Sequence, residues 1–309
     1  MHGQHVCIIL AHFNGEKFIE EQVQSIIDQE HEHWHLFIID DKSKTESVLV
    51  LKKIRKKFQS RVTLAFNQNN IGYAQNFFAG MIQYSDKFDY CAFCDQDDIW
   101  NSDKLCRAIK KLASDPVKKP KIYCSRTELV SEDALTSFGH SPLFKRSPSF
   151  ANALVQSIAG GNTMVLNRAA IDLVQDLSTG KNFVSHDWWC YQLISGCGGL
   201  VIYDAEPSLK YRQHSDNCIG SNKSFWSRVK RVYMLLDGQS KRWNDININS
   251  LLCLKDALTQ ENKTRLEMFA KNRKGSMFQR LKFALSFNVY RQTIMGNLGM
   301  LLGFLIKKM

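Results

Sequence analysis

No stretch of this chain reaches the roughly 18 consecutive apolar residues expected of a membrane-spanning helix. Met1–Gln4 passes at once into a strand pattern, with no basic segment or apolar core of an export signal. Glycine-rich phosphate loops are missing as well. There is neither G-x-G-x-x-G nor G-x-x-x-x-G-K-[ST], which excludes a Rossmann dinucleotide loop and a P-loop. Nine cysteines occur without a repeated spacing, and Cys91-x-x-Cys94 has no second pair at zinc-site distance. Both lie in an apolar strand pattern, so buried reduced thiols are expected. The odd count and the absent export signal point to a reducing cytosol. Acid is scarce in the C-terminal third. Residues 221–309 hold 17 Lys and Arg against 5 Asp and Glu, whereas residues 1–220 are nearly balanced at 24 and 25. The whole basic excess therefore sits in the tail, which implies an anionic partner there.

What is present is an ordinary globular composition, 44% apolar and 23% charged over 309 residues, enough for one large domain with an appendage. Val6–Ala11 and Leu36–Ile39 are continuous apolar runs, the pattern of strands covered on both faces. Val62–Phe66 and Tyr90–Cys94 are two further strands. Between them lie helical spacings: Phe18, Ile19, Val23, Ile26 and Ile27, for which Asn14 is a cap, then Val48 to Phe58, then residues 73–84. Strands alternating with helices imply an α/β fold with a mainly parallel sheet, and ligands of such sheets bind beyond the strands' carboxyl ends. Asn101–Ala113 reads as an amphipathic helix capped by Asn101 or Ser102, Ile122–Val130 as strand, residues 131–150 as loop, and Leu200–Tyr203 as strand.

The densest chemistry is Asp95-Gln96-Asp97-Asp98, which ends the Tyr90 strand. On an extended backbone Asp95 and Asp97 point the same way, and their repulsion is relieved by a divalent cation. Mg²⁺ and Mn²⁺ favour one or two carboxylates plus substrate phosphates. Phe13-Asn14 and Asp40-Asp41 occupy two other strand ends. Gly160-Gly161 permits either a tight turn or a close backbone approach to a ligand. Asp187, beside Trp188 and Trp189, has the setting of a general base next to flat faces that suit sugar rings, or of a helix cap before core tryptophans. His214 follows a strand in a polar loop, where a metal or phosphate contact fits.

These segments together, "ILAHFNGEKF", "IIDDKS", "NNIGYAQN", "CDQDDIW", "AGGNTMVLN", "HDWW" and "YRQHSDN", resemble the family 2 glycosyltransferases of GT-A fold over about residues 5–220. Within them they are similar to bacterial rhamnosyltransferases of surface polysaccharide, such as lipopolysaccharide. The resemblance implies inverting transfer of a sugar, rhamnose among the choices, from a dTDP- or UDP-linked donor to a hydroxyl of a growing, lipid-linked glycan. It further implies that Phe13 stacks on the base, that Asp41 bonds to it, and that Asn14, Asn70, Gly72 and Asp95 complete the nucleotide site. Asp97 would hold Mg²⁺ or Mn²⁺ with His214, Asp187 would be the base, and Gly161, Trp188 and Trp189 would meet the acceptor. Two departures stand out. Ala11-His12-Phe13-Asn14 replaces the usual Thr-x-Tyr-Asn, and Lys42 takes the place of glycine in Asp-Asp-Gly-Ser.

Two other classes share single features. Haloacid dehalogenase phosphohydrolases also place D-x-D after an apolar strand, but at the first strand of the domain. A nucleic-acid-binding protein could use the basic tail, yet the tail carries no zinc-finger, basic-zipper or RNA-motif signature, so no nucleic acid is expected. The expected division is a GT-A domain over 1–220 and a helical extension over 221–309. In the extension Phe225 to Leu236 and Phe278 to Phe287 have helical spacing among basic residues. Thr293–Ile306, followed by Lys307 and Lys308, is too short to span and suits an interfacial helix on an anionic membrane. The alternative is packing on the core or on a second subunit of a homo-oligomer. With a cytosolic chain, the membrane option means the inner face of the plasma membrane.

Overall fold

The computed structural model describes residues 4–114, 118–214, 237–286 and 288–309. Its main sheet is built from β1 (Val6–His12), β2 (Trp34–Asp40), β3 (Val62–Phe66), β4 (Tyr90–Cys94), β6 (Lys121–Ser125), β9 (Val165–Asn167) and β10 (Leu200–Asp204), in the order β10-β6-β9-β4-β1-β2-β3. All neighbours are parallel except β9, which runs against both β4 and β6. The mainly parallel α/β sheet expected from the sequence is thus present. In β1, Cys7 and Ile9 enter one core while Val6, Ile8 and Leu10 enter the other, which is why the strand is apolar at every position. Cys91 and Cys94 likewise face opposite layers and are buried free thiols, as expected for a pair three apart on a strand.

The first helices are α1 (Ile19–Ile27), α2 (Thr45–Lys57), α3 (Tyr73–Tyr84) and α4 (Lys104–Ala113). Two expected caps are corrected. Asn14 does not cap α1; it adopts φ 47°, and its Oδ1 accepts from the Lys44 N–H at 2.9 Å, so it ties the β1 end to the start of α2. Neither Asn101 nor Ser102 caps α4. Asn101 donates to the Pro207 carbonyl and Ser102 to Glu30, leaving Asp103 at the cap position without a side-chain bond.

A second, smaller sheet was only partly visible in the sequence. It has the order β5-β11-β7-β8, from β5 (Ile99–Trp100), β7 (Glu128–Val130), β8 (Ser137–His140) and β11 (Leu209–Arg212). The single strand expected over 122–130 is therefore two strands in two sheets, and the expected loop of 131–150 holds β8. The next helices are α5 (Phe150–Ala153), α6 (Arg168–Ser178) and α7 (His186–Gly196). Asn167 caps α6 by accepting from the Ala170 N–H at 3.0 Å.

The C-terminal part contains α8 (Gln239–Cys253), α9 (Gln260–Asn272), α10 (Met277–Leu285) and α11 (Ile294–Leu305). Ile248, Leu251, Leu266, Phe269, Phe283 and Phe304 join the same apolar cluster as Cys91, Leu166 and Trp189 of the sheet layer, so these helices share the main core. The helical spacing read over Phe225–Leu236 lies outside the described residues. Among the described residues no helix is long and apolar enough to cross a membrane.

Candidate active site

Register places the site. Leu10 pairs with Cys94 and His12 with Asp40, so β1, β2 and β4 end side by side, with Phe13, Asp41 and Asp95 just beyond. Because β9 is antiparallel to β4, its entry turn, Gly161–Thr163, arrives at the same edge; the Phe93 N–H donates to the Met164 carbonyl there. The antiparallel pair β5–β11 carries the chain to His214 beside the acidic turn.

Asp95, Asp97 and Asp98 have three different fates. The strand stops at Cys94, so the acids sit in a turn rather than alternating on a strand, which corrects the expected shared direction of Asp95 and Asp97. Asp98 turns inward, 1% exposed, where its Oδ2 accepts from Asn162 Nδ2 at 2.7 Å; burial first, then its acidic neighbours, raises its carboxyl. Asp97 turns outward to a hydrogen bond between its Oδ2 and His214 Nε2 at 2.9 Å, and the imidazole lies 5.0 Å from the Phe18 ring. Asp95 directly follows Cys94 at the end of β4. Burial, then Asp97 and Asp187, pushes its carboxyl up to about 7, against the pull of Lys104. A crowd of carboxylates held this far above their usual range favours a cation.

Beyond the ends of β1 and β2, Phe13 is 47% exposed, and its backbone is clamped to Gln96 in both directions: its N–H donates to Oε1 at 2.9 Å and Gln96 Nε2 donates to its carbonyl at 3.2 Å. Asp41 is buried. It accepts from the Gly72 N–H at 2.8 Å, the Ile71 N–H at 3.0 Å and Asn67 Nδ2 at 2.8 Å, and Asn70 Nδ2 reaches its carbonyl at 3.1 Å. Asp41 therefore builds the 67–72 turn that borders the site. Gly72 has φ 80° with open space where a Cβ would stand. Lys42 has φ 66°, which explains the glycine usual at that place; the left-handed backbone costs a side-chain-bearing residue about 1 kcal/mol.

Asp187 lies in the first turn of α7, where its Oδ2 accepts from the Gly161 N–H at 3.2 Å and its Oδ1 from the Trp188 N–H at 2.7 Å. The paired glycines serve this close approach: a Cβ on Gly161 would lie 2.5 Å from His186 Nε2 and 3.3 Å from Asp187 Cβ. Gly161 is buried, so the backbone approach is to α7. Trp188 and Trp189 are corrected as faces for a sugar. They are 8% and 0% exposed, with Nε1 donating to the Ala153 carbonyl at 2.6 Å and to Ser178 Oγ at 2.8 Å, so both indoles are core.

Three further residues belong to this site. Gln96 holds Phe13. Lys104 is wholly buried, its ammonium 3.6 Å from the Trp100 ring centre and bonded to the Asn162 carbonyl at 2.5 Å; burial lowers it to about 7. Its spacing with Leu105, Ala108 and Leu112 on the buried stripe of α4 was the available signal. His186 is buried and stacked on Phe77 at 4.2 Å, and neither of its ring nitrogens has a partner.

Among the described residues no group of three or more His, Cys, Asp or Glu is placed to hold a metal alone. The Asp97–His214 pair fits a cation whose remaining ligands come from a phosphorylated substrate. A mainly parallel sheet ending in acids, with a carboxylate in the first turn of α7 bonded to the β9 entry turn, agrees with the GT-A fold expected from the sequence. Residues 7–172 match glycosyl transferase family 2, and the chain belongs to that family. It is 27% identical over 232 residues to the dTDP-rhamnosyl transferase RfbG of Shigella flexneri, covering 72% of this chain and 78% of that protein. It is 25% identical over 234 residues to the putative teichuronic acid biosynthesis glycosyltransferase TuaG of Bacillus subtilis, covering 74% and 86%. The fold is similar to that of the mannosyltransferase PcManGT of Pyrobaculum calidifontis, solved with GDP-Man and Mn²⁺, at 16% identity and a TM-score of 0.52, covering 98% and 85%. Family membership removes the phosphohydrolase alternative.

Proposed function

We propose that this glycosyltransferase moves a sugar, rhamnose by preference, from a dTDP- or UDP-linked donor to a hydroxyl of a lipid-linked bacterial surface glycan, with inversion at the anomeric carbon. The observation that carries the reading is that two consecutive residues join the acidic turn to α7: the Gly161 N–H donates to Asp187 Oδ2 at 3.2 Å and Asn162 Nδ2 to Asp98 Oδ2 at 2.7 Å. The relatives named above support the sugar and the polymer class.

Residues 1–220 carry the chemistry in this reading, and 221–309 attach the enzyme to the inner face of the plasma membrane. Phe13 stacks on the base, with Asn14, Asp41, Asn70 and Gly72 shaping its pocket and Asp95 facing the ribose or a phosphate. Asp97 and His214 hold Mg²⁺ or Mn²⁺, which when bound offsets the charge of the departing diphosphate. The acceptor oxygen forms its bond to the anomeric carbon as the bond to diphosphate breaks, and its proton passes to Asp187. The backbone N–H groups of Gly161 and Trp188 keep the Asp187 carboxylate aimed, and through that contact Gly161 acts on the acceptor.

The test is incubation of the protein with Mn²⁺ and a panel of dTDP- and UDP-sugars, with release of nucleoside diphosphate followed for each. Turnover of one donor with net inversion in the product supports the reading. Retention of configuration would remove Asp187 as base, and absence of turnover on every donor would remove the donor class.

A further inference from the structure

Helices α10 and α11 expose an unusual amount of apolar surface for elements that also join the core. Met277, Phe278 and Leu285 of α10 are 57%, 75% and 61% exposed, and Ile294 and Met295 of α11 are 82% and 76% exposed. Along α11 the exposed residues continue as Leu298, Leu302 and Leu305, spaced three or four apart, which makes one stripe, while Met300 and Phe304 on the other side are buried. The face is not loosely attached. Buried Arg280 donates to the Phe304 carbonyl at 2.6 Å, the Leu305 carbonyl at 3.1 Å and the Gly275 carbonyl at 2.6 Å, and the Phe269, Phe283 and Phe304 rings pack beneath.

Charge says what covers this face. The bonds of Arg280 bring the first turn of α10 to the last residues of α11, so Lys274 and Lys307 lie at one end of the stripe. There, with Lys241 of α8, they line a cavity of about 530 Å³. Its Asp245 is paired with buried Arg273 at 2.6 Å, leaving three exposed lysines on the rim. No acidic residue follows Glu267, while eight Lys and Arg do. A second copy of the chain would bring the same lysines, and its Asp245 is already paired with Arg273. An anionic bilayer offers acyl chains to the stripe and phosphates to the rim.

We propose that the α10–α11 face seats in an anionic phospholipid bilayer, with Lys241, Lys274 and Lys307 against lipid phosphates. This gives residues to the membrane attachment put forward above, and it is measured without turnover, so it stands or falls apart from the transfer reaction. Deleting residues 276–309 is unsuitable as a test, because it strips Phe283 and Phe304 from the core. The experiment uses the full chain with vesicles of phosphatidylcholine alone or with phosphatidylglycerol, at low and high salt. The variants are Phe278→Asp with Ile294→Asp, and Lys274→Gln with Lys307→Gln, each checked for an unchanged melting temperature. Sedimentation with phosphatidylglycerol vesicles should fall at least about tenfold in the aspartate variant. In the glutamine variant it should fall at low salt and differ little at high salt. Sedimentation unchanged by the aspartates, or equal on neutral vesicles, overturns the proposal. So does a soluble dimer of the parent chain that the aspartates convert to monomer.

Discussion

Asp97 Oδ2 and His214 Nε2 lie 2.9 Å apart, although 117 residues separate them in the chain. The contact exists because β11 pairs with β5, which follows directly from the acidic turn. In the proposed reading a cation bound there would take the place of the hydrogen between carboxylate and imidazole.

Asp97→Asn should therefore lower turnover by about 100-fold or more and weaken Mn²⁺-dependent binding of nucleoside diphosphate. His214→Ala should reduce the same two quantities less, since the carboxylate remains. Calorimetric titration of nucleoside diphosphate with and without Mn²⁺ measures both, and unchanged turnover of Asp97→Asn at saturating Mn²⁺ would remove the ligand role.

Asp187→Asn should keep donor affinity nearly intact while lowering transfer by ~10²–10⁴. The amide oxygen can still accept from Gly161 N–H, so α7 stays seated. Collapse of donor affinity would instead mark Asp187 as a binding residue.

Gly161→Ala introduces a methyl 2.5 Å from His186 Nε2, in a wall already packed. The expected loss is about 1–3 kcal/mol of stability, together with a slower transfer step as Asp187 loses its backbone donor. Adding His186→Ala opens the space and should restore part of the stability. Denaturant titration of the single and double variants decides it; additive losses would show that the two residues do not meet.

His186 makes stability fall in acid. Its imidazole is pushed down to about 4 in the folded chain by burial, against the opposing pull of Asp187, whereas the ordinary value is 6.5. Between those values the unfolded chain binds more protons, so stability is lost as pH falls from about 6.5 to about 4 and is full above that window. The shift is worth on the order of 3 kcal/mol. His186→Phe keeps a ring against Phe77 and should flatten this part of the profile. Unfolding free energies of both proteins at about pH 7.5 and about pH 4.5 give the comparison; an equal acid loss in the two would assign it to other groups.

The main sheet and the strand-end acids were legible in the sequence because burial on two faces forces apolar residues at every strand position, and the break to Asp or Asn then marks the carboxyl end. The smaller sheet was legible only at Glu128–Val130. Its other strands are two to four residues long and polar in part, as in Lys210-Tyr211-Arg212, so no periodicity survives to be read. The caps failed for a related reason: Asn14, Asn101 and Ser102 have the right chemistry, but partners distant in sequence claim their side chains.

Sequence alone thus determined the class of fold, the family, the acidic turn at Asp95–Asp98 and the basic, acid-poor tail, all of which are carried by local pattern and composition. Only the tertiary structure decided which way each side chain faces. It turned Trp188 and Trp189 into core, buried Lys104 under the acids, closed Asp97 onto His214 and left the α10–α11 stripe uncovered. Those outcomes depend on strand register and on the reversal at β9, where one residue of shift exchanges inside for outside. No local pattern in a single chain encodes that choice.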